Sequence, residues 1–420
     1  MKTLLSATRS FPPAVRLLMA NQFAINLAFY MLMPYLAAHL ADGLGLAAWA
    51  VGLVLGVRNF SQQGMFLIGG TIADRYGYKA PIIAGCLLRT AGFALLGVSD
   101  SLPVLIAASA ATGFAGALFN PAVRAYLAAE AGDRRVEAFA TFNVYYQAGM
   151  LTGPLVGLAL LTADFRLVCL VAAGIFAALT VLQARALPAR RATDSAGRES
   201  SVPAQWCTVA ANRPFLLFSL AMIGSYVLSF QVYLALPLAA GDAFGSAGAK
   251  ATSLLFVLSA GVAVAGQLRL TGWVKGRWSG QQALVRGLGV MGLAFAPLAL
   301  LAASGADVPA AVALAALATA VIALAVGSAI VYPFEMDTVV ALAGNRLVAT
   351  HYGLYNTVSG IGITIGNLAT GALWDYAQHQ QALWLVWGAL TLTGAAGAGA
   401  VLALARTGRL TAPAPQPLLA

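Results

Sequence analysis

Residues 139–187 read FATFNVYYQAGMLTGPLVGLALLTADFRLVCLVAAGIFAALTVLQARAL. Two apolar runs, near 139–162 and 166–187, flank a short break that holds Asp164 and Arg166. Each run has the roughly twenty mostly apolar residues that a helix needs to cross the hydrocarbon core of a bilayer. The whole chain repeats this unit.

Toward the N-terminus, comparable runs lie near 15–38, 47–71, 80–99 and 103–127. Toward the C-terminus they lie near 213–240, 251–273, 281–303, 309–340, 350–373 and 382–405. The spacing therefore predicts an all-α integral membrane protein of twelve transmembrane helices. Composition agrees, with 60% hydrophobic residues and only 9% charged, where soluble domains carry roughly 25%. The 44 glycines suit helices that approach backbone to backbone.

Lys2, Arg9 and Arg16 precede the first run, which is too long for a signal h-region and reads as an uncleaved first helix. The expected organisation is a six-helix bundle over 1–187, a polar basic cytoplasmic linker over 188–212, a second six-helix bundle over 213–408 and a disordered Pro-rich tail over 409–420.

The net charge of +10 does not point to nucleic acid, because the cations sit in the breaks between runs. Lys2, Arg9, Arg75, Lys79, Arg134, Arg135, Arg190, Arg191, Arg198, Lys275, Arg277, Arg346, Arg406 and Arg409 fall on one side. The other side holds Arg166 and Lys250 beside Asp42, Asp100, Asp164, Asp242, Asp307 and Asp375. The positive-inside rule then places both termini and the linker in the cytoplasm, and the inner (cytoplasmic) membrane is the expected location. Cys86, Cys169 and Cys207 are dispersed and offer neither a disulfide framework nor metal spacing.

The halves resemble each other. Pro121, Gly132 and Arg134 recur 212 positions later as Pro333, Gly344 and Arg346, and Asn143, Gly149 and Gly153 recur 213 positions later as Asn356, Gly362 and Gly366. Duplicated six-helix halves of this kind enclose a solute path.

Gly70-Thr-Ile-Ala-Asp74-Arg75-Tyr-Gly77-Tyr-Lys79 closes the second span. A carboxylate at a helix C-terminus opposes the macrodipole, so Asp74 needs a compensating positive group. Arg124 and the start of the eleventh helix near Thr350 are the two candidates, and either would make a conformational latch. The alternative is a plain helix end with solvated charges. In the fifth span, Gly149, Gly153 and Gly157 form a smooth stripe and Pro154 bends the helix.

The G-x-x-x-D-R-x-G-x-K pattern at Gly70–Lys79 resembles the cytoplasmic loop signature of the major facilitator superfamily. The G-x-x-x-G-P-x-x-G pattern at Gly149–Gly157 resembles the motif of its drug:proton antiporter branch. Arg58-Asn-Phe-Ser-Gln-Gln, Arg89-Thr-Ala-Gly-Phe and Asp164-Phe-Arg166-Leu resemble multidrug-resistance members of that branch. The resemblance implies two pseudo-symmetric six-helix bundles and export rather than import. It also implies a latch role for Asp74, with Gly70, Arg75, Gly77 and Lys79 shaping the turn. Where many antiporters carry an Arg four residues before the glycine matching Gly113, this sequence has Ser109, so a proton relay through that Arg is not implied.

Charges inside the membrane are functional suspects by default. Arg58 and Arg89 lie within spans two and three. The interior carboxylates are Glu335 and Asp337 after Pro333, and with His351 they are the candidates for proton coupling, or else they pair with Arg124 or Arg346 at a gate. Asn26, Tyr30, Arg58, Gln62, Asn143, Tyr146, Gln147, Tyr226, Gln231, Tyr355 and Asn356 are candidates for lining a polar, aromatic cavity, though each could equally serve helix packing. Arg58 without a midplane acid favours neutral or anionic cargo.

The expected function is secondary active efflux of a small amphiphilic compound such as a drug, by alternating access. The proton gradient is the energy source and no cofactor is expected. A siderophore or other metabolite exporter is the alternative; a nutrient importer or a non-transporting sensor fits less well. The expected partners are the small-molecule substrate, protons and the lipid bilayer, with the chain acting as a monomer. No G-x-x-x-x-G-K-[ST] loop is present, and His39, His351 and His379 are dispersed, so neither an ATPase nor a metalloenzyme is expected.

Overall fold

The computed structural model describes residues 2–162, 164–189, 201–304 and 308–410. The expectations for linker residues 190–200, for Asp307 and for the tail 411–420 lie outside the described residues, as do the side chains of Lys2 and Asp42.

Every regular element among the described residues is helical. In chain order they are α1 (Lys2–Arg9), α2 (Pro13–Ala38), α3 (Ala48–Gln63), α4 (Phe66–Tyr76), α5 (Lys79–Val98), α6 (Leu102–Ala131), α7 (Arg135–Leu161) and α8 (Phe165–Ala186). Then come α9 (Val202–Ala211), α10 (Arg213–Ala221), α11 (Ile223–Phe230), α12 (Ala235–Phe244), α13 (Gly248–Lys275), α14 (Gly280–Leu293) and α15 (Ala296–Ala303). The last three are α16 (Ala310–Ala343), α17 (Val348–His379) and α18 (Trp384–Arg406).

Each of the twelve expected spans is helical, but several are not single helices. The second span is α3 and α4, parted at Gly64 and Met65. The seventh is α10 to α12, parted at Met222 and by a 3-10 turn at Gln231–Tyr233. The ninth is α14 and α15. Pro34, Pro121, Pro154 and Pro333 are instead accommodated within helices. In each case the missing N–H costs one ladder bond.

Nine helical stretches among the described residues are long and apolar enough to cross a membrane, and one of them, Leu102–Leu161, runs through both α6 and α7. Large apolar side chains such as Leu155, Leu300, Leu368 and Leu392 are exposed, as expected of a surface whose solvent is lipid.

The described part of the linker differs from the flexible segment that its composition predicts. Residues 202–211 form α9, capped by Ser201, whose hydroxyl accepts from the Ala204 N–H. Val209 and Gln205 are buried, and Trp206 donates its indole N–H to Thr71 Oγ1 at 2.9 Å. An apolar stripe within a polar stretch outweighs the flanking Ser and Arg content.

The chain divides into two compact units. One comprises Met1–Asn212 with Val339–Thr357, and the other Arg213–Thr338 with Val358–Ala420. The first unit therefore includes a segment that lies beyond residue 213, the boundary read from sequence. Its aromatic core includes Phe93 and Phe176, stacked with centroids 5.2 Å apart. In the second unit, Trp387 stacks on Phe295 at 6.1 Å and meets Trp374 edge-on at 5.6 Å.

The internal repeat has a backbone cause. Gly132 ends α6 at φ 53 and Gly344 ends α16 at φ 57, a region that L side chains rarely enter. Pro121 and Pro333 lie about three turns upstream inside the same two helices.

Candidate functional site

In the first unit, α4 ends at Gly77, whose φ of 87 and ψ of 160 stop the helix sharply. Asp74 is buried near this end. Its carboxylate accepts from the Ala349 N–H at 3.1 Å, from the Thr350 N–H at 2.7 Å and from the Thr350 hydroxyl at 2.7 Å. Ala349 and Thr350 lie in the first turn of α17, whose N–H groups have no intrahelical partner. A carboxylate at a C-terminus thus caps the positive end of another helix, which offsets its own unfavourable dipole. The start of the eleventh span, one of the two partners considered for Asp74, is thus joined to it by hydrogen bonds.

Close approach makes this possible. A Cβ on Gly70 would stand 2.7 Å from the Ala349 carbonyl carbon and 2.9 Å from Thr350 Cα, and one on Gly353 would meet Leu67 Cα at 2.9 Å. The turn leading into α17 carries Asn345 at φ 59 and Leu347 at φ 47, left-handed conformations that cost non-glycine residues roughly 1–2 kcal/mol each. Arg124 donates to Asn356 Oδ1 at 2.7 Å, further along α17. Lys79 donates to the Ala184 carbonyl at 2.8 Å, and Arg75 is half-buried. Tyr78 is buried beside Tyr126. Burial, and then the nearby Asp74 carboxylate, pushes its phenol above the usual range.

The fifth-span motif lies along α2. A Cβ on Gly149 would meet the Phe23 carbonyl oxygen at 2.5 Å, one on Gly153 the Leu27 carbonyl oxygen at 2.9 Å, and one on Gly157 the Met31 carbonyl carbon at 2.9 Å. The Tyr35 hydroxyl donates to the Pro154 carbonyl at 2.8 Å. The stripe brings two backbones into contact over two helical turns.

The proton-coupling candidates do not share one setting. Glu335 is buried in α16 and Asp337 is half-buried. Two residues apart on a helix, they do not face each other. His351 is buried, with Nδ1 2.9 Å from the Leu347 carbonyl and Nε2 3.3 Å from Asn212 Nδ2, which also donates to the Leu342 carbonyl. Both ring nitrogens are engaged, with Nδ1 as donor and Nε2 as acceptor in a neutral ring.

Among the cavity candidates, Asn26 donates to the Gln22 carbonyl at 2.7 Å, and Tyr30 and Tyr146 join hydroxyls at 3.2 Å. Asn143, Tyr355 and Asn356 are buried, and the Gln147 Oε1 and Asn356 Nδ2 atoms are buried without a hydrogen-bond partner. In the second unit, Gln231 is fully buried and donates to the Val227 carbonyl at 2.8 Å and to Asn367 at 3.4 Å, while Tyr226 is half-buried.

The strongest electrostatic feature is a pair of cations in the first unit. Arg58 lies 4.6 Å and Arg89 5.7 Å from the Phe29 ring centroid, and Arg89 also approaches Phe176 at 5.4 Å and Phe119 at 5.8 Å. Arg58 donates to Gln62 Oε1 at 2.9 Å and to Asn59 Oδ1 at 2.8 Å. The sequence offers Arg58 and Arg89 as charged interior positions, but Phe29 and Gly116, which complete the cluster, carry no signal beyond lying in apolar runs.

A chain of membrane-length helices, with charges buried in them and two duplicated halves, is a membrane transporter. A family model described as Major Facilitator Superfamily matches residues 18–367, and the chain belongs to that superfamily. It is 56% identical over 386 residues to an uncharacterized MFS-type transporter of Mycobacterium tuberculosis strain H37Rv, with 92% of each chain covered. It is 30% identical over 374 residues to the multidrug resistance protein MdtH of Shigella dysenteriae, covering 88% of this chain and 90% of that one. The crystal structure of the human organic anion transporter MFSD10 superposes with a TM-score of 0.66 at 15% identity over 93% of this chain and 99% of that one. At that identity the likeness concerns the fold alone.

Proposed function

We propose that this protein is a secondary exporter that moves a small amphiphilic compound, such as a drug, out of the cell by alternating access, driven by proton influx. The observation that carries the reading is the Gly149, Gly153, Pro154 and Gly157 stripe set backbone to backbone on α2. The likeness to proteins named multidrug resistance protein MdtH supports it. The chain acts as a monomer in the inner membrane with both termini in the cytoplasm. It needs no cofactor, because one proton crossing 100 mV supplies roughly 2.3 kcal/mol.

Asp74 is the latch. Its charge-assisted bonds to the first turn of α17 stabilise one orientation of the transporter, and their loss frees the other. Glu335 is the leading proton carrier because it is the buried carboxylate of α16. Asp337 is second, and His351 ranks last because both its ring nitrogens are already engaged. Export of a secreted metabolite such as a siderophore is a second reading, favoured by the interior arginines.

The test is proton release from energised inverted vesicles containing the protein, read with a pH-sensitive dye against a panel of drugs and siderophores. Cargo-dependent collapse of the gradient that disappears in Glu335→Gln is expected. A gradient unaffected by every cargo contradicts proton antiport.

A further inference from the structure

Cations set in apolar runs without anions need an explanation. Arg89 is only 6% exposed, and the Nε atoms of both Arg58 and Arg89 are buried with no hydrogen-bond partner. Both guanidiniums lie against the one Phe29 ring. Cation–π attraction recovers part of the cost of burial, but it leaves the two Nε–H groups unused and does nothing for the repulsion between two like charges.

Among the described residues of the first unit, no acid is placed to neutralise them. The described acids of residues 1–189 sit at helix ends or in turns: Asp74 closes α4, Asp100 follows α5, Glu130 and Asp133 end α6, Glu137 opens α7 and Asp164 caps α8. Gln62 links the pair. Its Oε1 accepts from Arg58, while its Nε2 and Arg89 Nη2 stand 3.2 and 3.3 Å from the position a Cβ would take on Gly116. The missing side chain at Gly116 lets two donors from different helices converge against α6. Donors with unused N–H groups, aromatic walls and no paired acid among the described residues together describe a receptor for an anion that has a flat apolar body.

We propose that Arg58, Arg89 and Gln62 bind the carboxylate or sulfonate of an amphiphilic aromatic anion, with Phe29 against its apolar part, and that such anions are the preferred cargo. This deepens the exporter reading, since it names the substrate class on the assumption that the protein transports small molecules.

The test is equilibrium binding to the purified full-length protein in lipid nanodiscs, with no gradient imposed. Three isosteric probes are compared: 1-naphthaleneacetate, its neutral amide and the cationic 1-naphthylethylamine. The acetate is expected to bind at least tenfold more tightly than either analogue. Arg58→Gln and Arg89→Gln should each erase that preference, Arg58→Lys should retain part of it, and Gly116→Val should block the acetate.

A purely structural role for the arginines predicts that the Gln variants melt lower and leave the preference among surviving molecules unchanged. The proposal instead predicts that they melt no lower without ligand, since a buried like charge is relieved, and that the acetate no longer raises their melting temperature. Absent or charge-blind binding by the wild type overturns the proposal, as does a preference that survives both Gln variants. The exporter reading fails separately: anion-selective binding without any proton movement in vesicles would refute antiport and leave this site standing. Proton-coupled efflux of a cationic dye that is untouched in Arg58→Gln and Arg89→Gln would do the reverse.

Discussion

The contacts of α7 with α2 and of α17 with α11 carry the same inherited pattern, Gly149 and Gly153 in one and Gly362 and Gly366 in the other, yet they are built differently. Along α7 the glycines meet backbone: the Phe23, Leu27 and Met31 carbonyls stand where a Cβ would go. Along α17 they meet side chains, with Ile223 Cγ2 and Val227 Cγ2 each 2.5 Å from the Cβ position. The partner helix differs too. α2 runs unbroken from Pro13 to Ala38, whereas the span that contains α11 is broken at Met222 and at Gln231–Tyr233.

A backbone contact cannot yield without moving a helix, but a side-chain contact can repack. One pattern therefore gives a fixed seam in the first unit and an adaptable one in the second. α17 is also the helix whose first turn Asp74 holds and whose sequence is divided between the two units at Thr357 and Val358. The adaptable seam lies on the element whose first turn Asp74 caps.

Gly157→Ala is expected to have the largest effect, about 3 kcal/mol of lost stability in chemical denaturation, against about 1 kcal/mol for Gly366→Ala. Val227→Ala should rescue the second. Shortening Met31 should not rescue the first, because the obstacle at that site is a carbonyl group. Equal costs, or rescue at both sites, would break the comparison.

Next is Asp74→Asn. It should lose about 2 kcal/mol by weakening bonds to the first turn of α17, and Thr350→Val should lose about 1 kcal/mol by removing one of three donors. The sharper readout is accessibility: a cysteine at Thr357 should be labelled faster by a maleimide in the Asn variant. Gly132→Ala and Gly344→Ala should then cost similar amounts, about 1–2 kcal/mol each, since both end a helix at positive φ. A large inequality would mean that the repeat is not conformational.

The smallest effect concerns pH at the far end of α2. His39 stacks on Phe165 at 3.7 Å. Burial lowers its pKa below 6.5, Asp100 and Asp164 partly oppose this, and Arg166 adds to it. Because the folded value lies below the unfolded one, this group's contribution is complete above pH 6.5 and declines as pH falls through the folded pKa. His39→Phe should keep the ring stack and flatten that acid-side slope in thermal melts by less than 1 kcal/mol.

Hydropathy made the spans legible, because length and charge exclusion are set by the bilayer and not by neighbours. A partnered carboxylate at Asp74 was legible as well, since an acid at a helix end requires a positive group. Its bonds to the first turn of α17 were not, because Arg124 satisfies the same requirement in sequence, and which groups meet depends on how the helices pack. The helix breaks at Met65 and Met222 leave no Pro or Gly-Pro mark, and α9 was hidden by the polar composition around it. Arg58 and Arg89 announced themselves as charges in apolar runs. Their convergence on Phe29 and Gln62 depends on how α2, α3 and α5 meet, which no local pattern encodes.

The most direct measurement of the latch is the distance distribution between spin labels at Tyr76 and Arg346, by double electron–electron resonance in nanodiscs. Both positions are exposed, and Cys207→Ser removes the exposed native thiol while Cys86 and Cys169 stay buried. The account predicts a short population, corresponding to Asp74 bound to α17, and a longer one that grows in Asp74→Asn. A single short distance, unchanged by that substitution, would contradict it.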